Sequence, residues 1–253
     1  LDALSAIDAI QENEDLVPAG AAGAPVLHVL AGRLMALDLP GLAAPVLKDL
    51  ISRADTGTSR AKLGLALAQV DMEAGSIGGA AEALADTNAP GLPGALVARR
   101  HVVEAEIRAQ GGHVPLALAS LKKSDDTDAM KLESRLELER HQWHPAESTL
   151  EKLAAATIPA SGRLTRREAH LVAQLAGAAS EANDAPELAA LRAQYKGRFP
   201  PGQDADLFAT ITMPPLDSGA GLSSALKQIA AIERLGAGLS DPASEPSSKA
   251  AGQ

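Results

Sequence analysis

The residues best suited to chemistry are six histidines: His28, His101, His113, His141, His144 and His170. Only His141 and His144 lie close together, on either side of Trp143. Two imidazoles at that spacing could ligate a metal, but zinc takes three or four protein ligands, and the neighbouring Glu139 and Glu147 complete no recognised motif. The stretch therefore reads as a polar turn between helices. Asp125, Asp126 and Asp128 offer carboxylates without the glycine and terminal glutamate of a calcium loop, so they read as helix caps. Ser120-Leu-Lys-Lys123 has the spacing of a Ser-x-x-Lys nucleophile, yet the Lys-Thr-Gly motif that such a site needs on another element is absent from the sequence. No Gly-x-Ser-x-Gly elbow, phosphate-binding Gly-x-x-x-x-Gly-Lys-Ser/Thr or His-Glu-x-x-His occurs either. The glycines of Gly75–Gly79 and Gly91-Leu-Pro-Gly94 come after helical patterns rather than strands and read as turns. Arg99-Arg100 and Arg166-Arg167 read as solvated helix faces. The expectation is a chain without catalytic residues, metal or cofactor.

The elements that would carry these side chains can be read from composition. Among 253 residues there are 53 alanines and 36 leucines, four aromatic residues and no cysteine. Alanine and leucine lead the helix scale, whereas strands draw on β-branched and aromatic residues, so an all-α fold is expected. Disulfides and thiolate metal sites are excluded. A net charge of −9 argues against nucleic acid as a partner, because displacing its counterions takes a surplus of Lys and Arg. No apolar run is long enough to span a bilayer, so no membrane insertion is expected. The chain starts at Leu1 without a signal-peptide pattern and reads as a fragment or processed product. Cysteine absence fits a bacterial periplasmic or otherwise exported location, toward which the reading leans, and fits the cytoplasm as well.

Between Ala24 and Lys196 apolar residues recur at helical spacing, interrupted by Pro, Gly, Asp and Asn. The spacing predicts five consecutive hairpins: Val26–Leu37 with Pro40–Arg53, Ser59–Ala74 with Gly78–Ala85, Pro93–Gln110 with Pro115–Lys122, Asp126–His141 with Pro145–Ala156, and Thr165–Glu181 with Pro186–Tyr195. Pro40, Pro115, Pro145 and Pro186 each open a second helix, where a missing N–H costs nothing; in a helix interior proline would break the element. Thr165 with Glu168 predicts a capping box, and Ser124-Asp-Asp126 predicts side-chain caps.

Aligned on their turns, four of the pairs share a register. A small residue is followed after seven positions by a turn residue, after five more by Ala and after four more by Leu: Ala31, Asp38, Ala43, Leu47; Ala68, Gly75, Ala80, Leu84; Ala105, Gly112, Ala117, Leu121; Ser134, His141, Ala146, Leu150. The key alanines are 37, 37 and 29 residues apart. This pattern resembles the tetratricopeptide repeat, a helix–turn–helix unit, over about residues 24–156, with a degenerate fifth unit to 196. The family's first-helix Trp and Tyr are absent, and His141-Gln-Trp143 stands at the fourth turn. In look the chain is also similar to alanine-rich repeat segments of alphaproteobacterial proteins. The resemblance implies stacked antiparallel hairpins, an α-solenoid in which each pair covers the next; a compact helical bundle is the other architecture open to such helices.

The expected domain layout is an N-terminal capping helix in residues 1–17, a linker at 18–25, repeats over 26–196, a capping segment and helix over 197–236, and a disordered tail at 237–253. The caps would be Asp2–Gln11 at one end and, at the other, Asp204–Met213 with the amphipathic Leu222–Leu235. The resemblance further implies that a protein or peptide partner lies along the concave face of the first helices. The register places His28 and Met35 on that face, then Lys62, Gln69, Met72 and Glu73, then Arg99, Glu106 and Gln110, and finally Lys131, Arg135 and Glu139. Mixed charge and two adaptable methionines suit a polypeptide better than an anionic polymer. The alternatives are a structural spacer inside a larger bacterial protein, with no ligand of its own, and an enzyme or metal protein built around His141 and His144.

Overall fold

The computed structural model describes residues 20–54 and 57–213. The described residues contain eleven α-helices and no strand, so the all-α expectation holds. By contacts the chain divides into two compact units, Leu1–Lys123 and Ser124–Gln253, a division that falls inside the expected repeat region.

In the first unit a 3-10 turn at Gly20–Gly23 leads into α1 (Ala24–Ala36), α2 (Pro40–Arg53), α3 (Gly57–Glu73), α4 (Ile77–Asp86), α5 (Gly94–Gln110) and α6 (Val114–Leu121). Each helix packs against its successor, and α3 also packs against α5. Their shared core joins Leu27, Leu30 and Leu34 of α1 through Leu47 and Leu50 of α2 to Leu65, Ala68, Ala80, Leu84, Val103 and Ile107.

The second unit contains α7 (Thr127–Glu139), α8 (Trp143–Thr157), α9 (Arg166–Glu181), α10 (Ala185–Tyr195) and α11 (Gln203–Ile211). Here α8 packs against α7 and α9, while α10 and α11 both pack against α9. Leu150, Val172, Leu175, Leu191, Tyr195 and Phe208 belong to its core, where Phe199 stacks on Phe208.

Several boundaries differ from the sequence-based ones. Ala24 and Pro25, expected in a linker, begin α1; Pro25 occupies the first turn, where the lost donor has no intrahelical acceptor. Pro145 lies at the third position of α8, after Trp143 and His144. Proline inside a helix is tolerated at Pro45: α2 continues past it to Arg53, and both Pro45 and Gly41, whose carbonyl loses its usual partner, are exposed. The capping box of Thr165 with Glu168 is present. Asp126 caps α7 by accepting from the amides of Asp128 and Ala129, and Ser124 Oγ accepts from the Asp126 amide. The expected helices Asp2–Gln11 and Leu222–Leu235, and the tail at 237–253, lie outside the described residues.

One turn recurs in all five hairpins. Asp38, Gly75, Gly112, His141 and Asn183 each adopt the left-handed conformation, with φ between 55° and 84°. The amide of each bonds to the carbonyl three residues back, and the next amide bonds five residues back: Leu39 to Leu34, Ser76 to Asp71, His113 to Arg108, Gln142 to Glu137 and Asp184 to Ala179. This is a Schellman motif, which satisfies carbonyls that a helix end otherwise leaves without partners. The carbonyls of Leu39, Ser76, His113, Gln142 and Asp184 then accept the first bond of the second helix, from Ala43, Ala80, Ala117, Ala146 and Leu188. One residue therefore ends one helix and begins the next. Asp, Asn and His tolerate left-handed backbone better than most non-glycine residues, which is why His141 serves where two other turns have glycine.

The small residues of the register are buried as well. Ala43, Ala68, Ala80, Ala105, Ala117 and Ala146 are 0 % exposed, Ala31 and Ser134 are each 4 % exposed, and Leu47, Leu84, Leu121 and Leu150 are buried. A Cβ with nothing beyond it lets two helix backbones approach closely at the hairpin waist.

Candidate functional site

The first helices of the hairpins carry all the residues expected to meet a partner. On α1, His28 and Met35 are exposed. On α3, Lys62 and Glu73 are exposed, Gln69 is half-buried, and Met72 packs part of its side chain against the core, so Met72 serves the interior as well as the surface. On α5, Arg99 and Gln110 are exposed and Glu106 is half-buried. Lys131, Arg135 and Glu139 are exposed on α7, in the second unit, where Lys131 Nζ lies 2.7 Å from Asp128 Oδ1. The packing of α3 on α5 brings two of these sets onto neighbouring helices.

Arg100 departs from the solvated face expected for Arg99-Arg100. It is buried, and its guanidinium donates to the carbonyl oxygens of Ala61 (2.7 Å) and Leu84 (2.5 Å) and to Thr87 Oγ1 (3.2 Å). It therefore ties α5 to α3 and supplies a cation to the C-terminal end of α4, where the carbonyl dipoles point. Thr87 Oγ1 in turn donates to the Ala83 carbonyl at 2.6 Å. Gly64 makes room for this cluster, since a Cβ there would overlap the Thr87 side chain. Burial lowers the Arg100 pKa, yet arginine starts from so high a value that it stays charged. A signal for this role existed in the sequence: Arg100 falls on the apolar stripe Leu96, Val103 and Ile107, at helical spacing. Arg166 and Arg167, by contrast, are exposed as expected.

The second unit has buried acids that composition did not reveal. Glu137 is 0 % exposed and accepts a hydrogen bond from Thr149 Oγ1 at 2.9 Å, across the α7–α8 hairpin. Glu133 and Glu147 are also buried. Burial pushes the Glu147 carboxyl above the ordinary range, and the neighbouring charge of Asp184 adds to the effect, while His144, 3.6 Å away, works against it. The Glu187 carboxyl is raised by burial and by the charges of Glu151, Glu147 and Asp184.

This acidic group has a consequence for stability. With a folded pKa above the unfolded one, each carboxyl holds its proton longer in the native state, so its contribution falls as pH rises through the window between the two and stays low above it. Replacing Glu147 or Glu187 with Gln is expected to raise stability at pH 7 by about 1 kcal/mol, and the advantage should vanish below the unfolded value near 4.5. Urea midpoints of wild type and variants at pH 4 and 7 check this; an advantage equal at both pH values would contradict it.

Other residues with possible chemistry have plainer surroundings. His141 meets Trp143 edge-on at 5.0 Å, and the His144 ring lies beside Glu147. Among the described residues no group of three or more His, Cys, Asp or Glu side chains is arranged to hold a metal ion. Of the aspartates around residue 126, Asp126 acts in helix capping and Asp128 in the Lys131 ion pair. Ser120 Oγ is engaged with the Ala117 carbonyl at 2.8 Å. Among the described residues no helix is long and apolar enough to cross a membrane. Sequence reasoning also missed Arg198, which donates to the carbonyls of Pro159, Ala160 and Gly162 and lies over the Tyr195 ring. No protein-family model, no curated protein and no solved structure matches the chain.

Proposed function

We propose that this chain is a non-catalytic helical-repeat scaffold of tetratricopeptide-like, stacked-hairpin construction, which binds an extended protein or peptide segment along its first helices. The observation that carries this reading is the repetition of one turn and one small-residue register, combined with the packing of α3 on α5. That packing puts equivalent positions of successive units on neighbouring helices: Lys62 with Arg99, Gln69 with Glu106, and Glu73 with Gln110, each pair 37 residues apart in sequence. A repeated row of long polar side chains on rigid helices suits an extended chain, which presents its own groups at regular intervals.

The reading is tested by selecting a displayed peptide library on the immobilised protein and measuring the enriched peptides by calorimetry. Changing Lys62 and Arg99 together to Glu should weaken those peptides at least tenfold, or about 1.4 kcal/mol. Failure to enrich any peptide, or equal binding by the variant, would remove the binding face and leave a spacer.

A further inference from the structure

The two ends of a helix carry opposite partial charges, so acids are favoured in a first turn and bases in a last turn. Arg33, Arg53 and Arg108 in the last turns of α1, α2 and α5 follow that rule, as do Asp128, Glu168 and Glu187 in the first turns of α7, α9 and α10. Helix α3 reverses it. Arg60 lies in its first turn with Lys62 just beyond, Asp71 and Glu73 lie in its last turn, and neither end holds a charge of the favoured sign. Among the described helices α3 alone has the unfavoured sign at both ends and the favoured sign at neither. A local rule broken at some cost to the helix points to a surface that needs the charges where they are.

These charges are also available. Arg53, Arg108 and Lys131 each pair with an acid three or four residues away, namely Asp49, Glu104 and Asp128. Lys62, Glu73 and Arg99 are exposed and form no ion pair among the described residues. Lys62, Ala66, Gln69 and Glu73 share one face of α3, at steps of four, three and four residues, with the cation and the anion at its two ends. The hydrogen bond from Arg100 to the Ala61 carbonyl, at 2.7 Å, sets Arg99 of α5 at the Lys62 end. Lys62 and Glu73 are eleven residues apart, or about 16–17 Å along the helix axis. An extended chain covers that distance in about five residues.

Resting on the reading of the first helices as a peptide-binding face, we infer that the segment held by α3 and α5 is bipolar. It lies extended along them, with an acidic side chain over Lys62 and Arg99 and a basic side chain over Glu73, about five residues apart. The two opposite charges fix its register, because a segment shifted along the face, or carrying one sign only, brings like charges together at one end.

A peptide library randomised at every position, displayed and selected on the immobilised full chain, tests this. Enriched peptides should carry Asp or Glu about five positions from Lys or Arg, well above the frequency of such pairs before selection. Against one enriched peptide, Glu73→Lys should weaken binding at least tenfold by calorimetry, and exchanging the peptide's basic residue for Glu should restore most of the loss. Glu73→Gln, a gentler change, should weaken the original peptide severalfold. The lysine variant should also show a higher urea midpoint than wild type, since it gives the last turn of α3 the favoured sign; weaker binding by a more stable protein separates recognition from unfolding. Enriched peptides without paired opposite charges, affinity indifferent to Glu73, or no recovery with the exchanged peptide would each overturn the bipolar assignment and leave peptide binding itself standing. Enrichment of no peptide would remove the binding face, and this inference with it.

Discussion

Replacing Arg100 with Met is expected to lower the unfolding free energy of the first unit by about 3–5 kcal/mol, more than any other single substitution proposed for this protein. Methionine restores most of the volume, so the loss isolates the hydrogen bonds. The guanidinium serves the Ala61 carbonyl, the Leu84 carbonyl and the Thr87 hydroxyl, all in a buried setting. An apolar replacement for a buried charge is often harmless when its partners leave with it, but here two of the partners belong to the backbone and remain. Each buried acceptor left without a donor costs about 1–3 kcal/mol. The Leu84 carbonyl feels the loss most, because it lies in the last turn of α4, where no later amide of that helix can serve it. Arg100→Lys should recover only part, since a single ammonium on a flexible stem cannot reproduce a planar fork directed at three acceptors. Urea-induced unfolding followed by circular dichroism measures both variants. A loss under about 1 kcal/mol for the methionine variant would show that the clasp contributes little beyond filling space.

The second large effect concerns the alanine register. Ala80→Leu is expected to destabilise the first unit by about 2–3 kcal/mol, while Ala81→Leu, one position along the same helix, should change stability by no more than about 0.5 kcal/mol. Leucine and alanine are both strong helix formers, so propensity does not separate the two variants. Burial does: Ala80 is 0 % exposed within the core that includes Ala68, Leu65 and Leu84, whereas Ala81 faces solvent. Three added heavy atoms at residue 80 must displace α3 from α4 or force neighbouring side chains off their rotamers. Equal denaturation midpoints for the two variants would mean that close approach at the hairpin waist is not what the register encodes.

These variants probe features that differ in how readily the sequence reveals them. The turn at Asp38, Gly75, Gly112 and His141 and the alanines five residues beyond it are readable at each of the four repeats, because both depend on residues within a dozen positions. A left-handed residue ends the helix, its neighbour starts the next, and the spacing then decides which Cβ faces the partner helix. The fifth hairpin keeps the turn at Asn183 although half-buried Leu188 replaces the alanine; the local backbone bonds persist where the packing signal has faded. The surface residues expected to meet a partner are legible only as positions, since a solvated charge and a binding charge look alike in one sequence.

Residue order alone settles the helices, their caps and the small-residue waists, since these rest on backbone bonds and side-chain spacing inside each hairpin. Only the folded chain shows which of two adjacent arginines is buried, that Glu137 meets Thr149 across a hairpin, and that α11 turns onto α9. Folding also divides the chain after Lys123, inside the stretch expected to be one run of repeats. Range separates the two groups. A helix forms from neighbours in sequence, but the desolvation of a charge and the covering of a face depend on atoms brought from tens of residues away, as when Arg100 reaches back to Ala61.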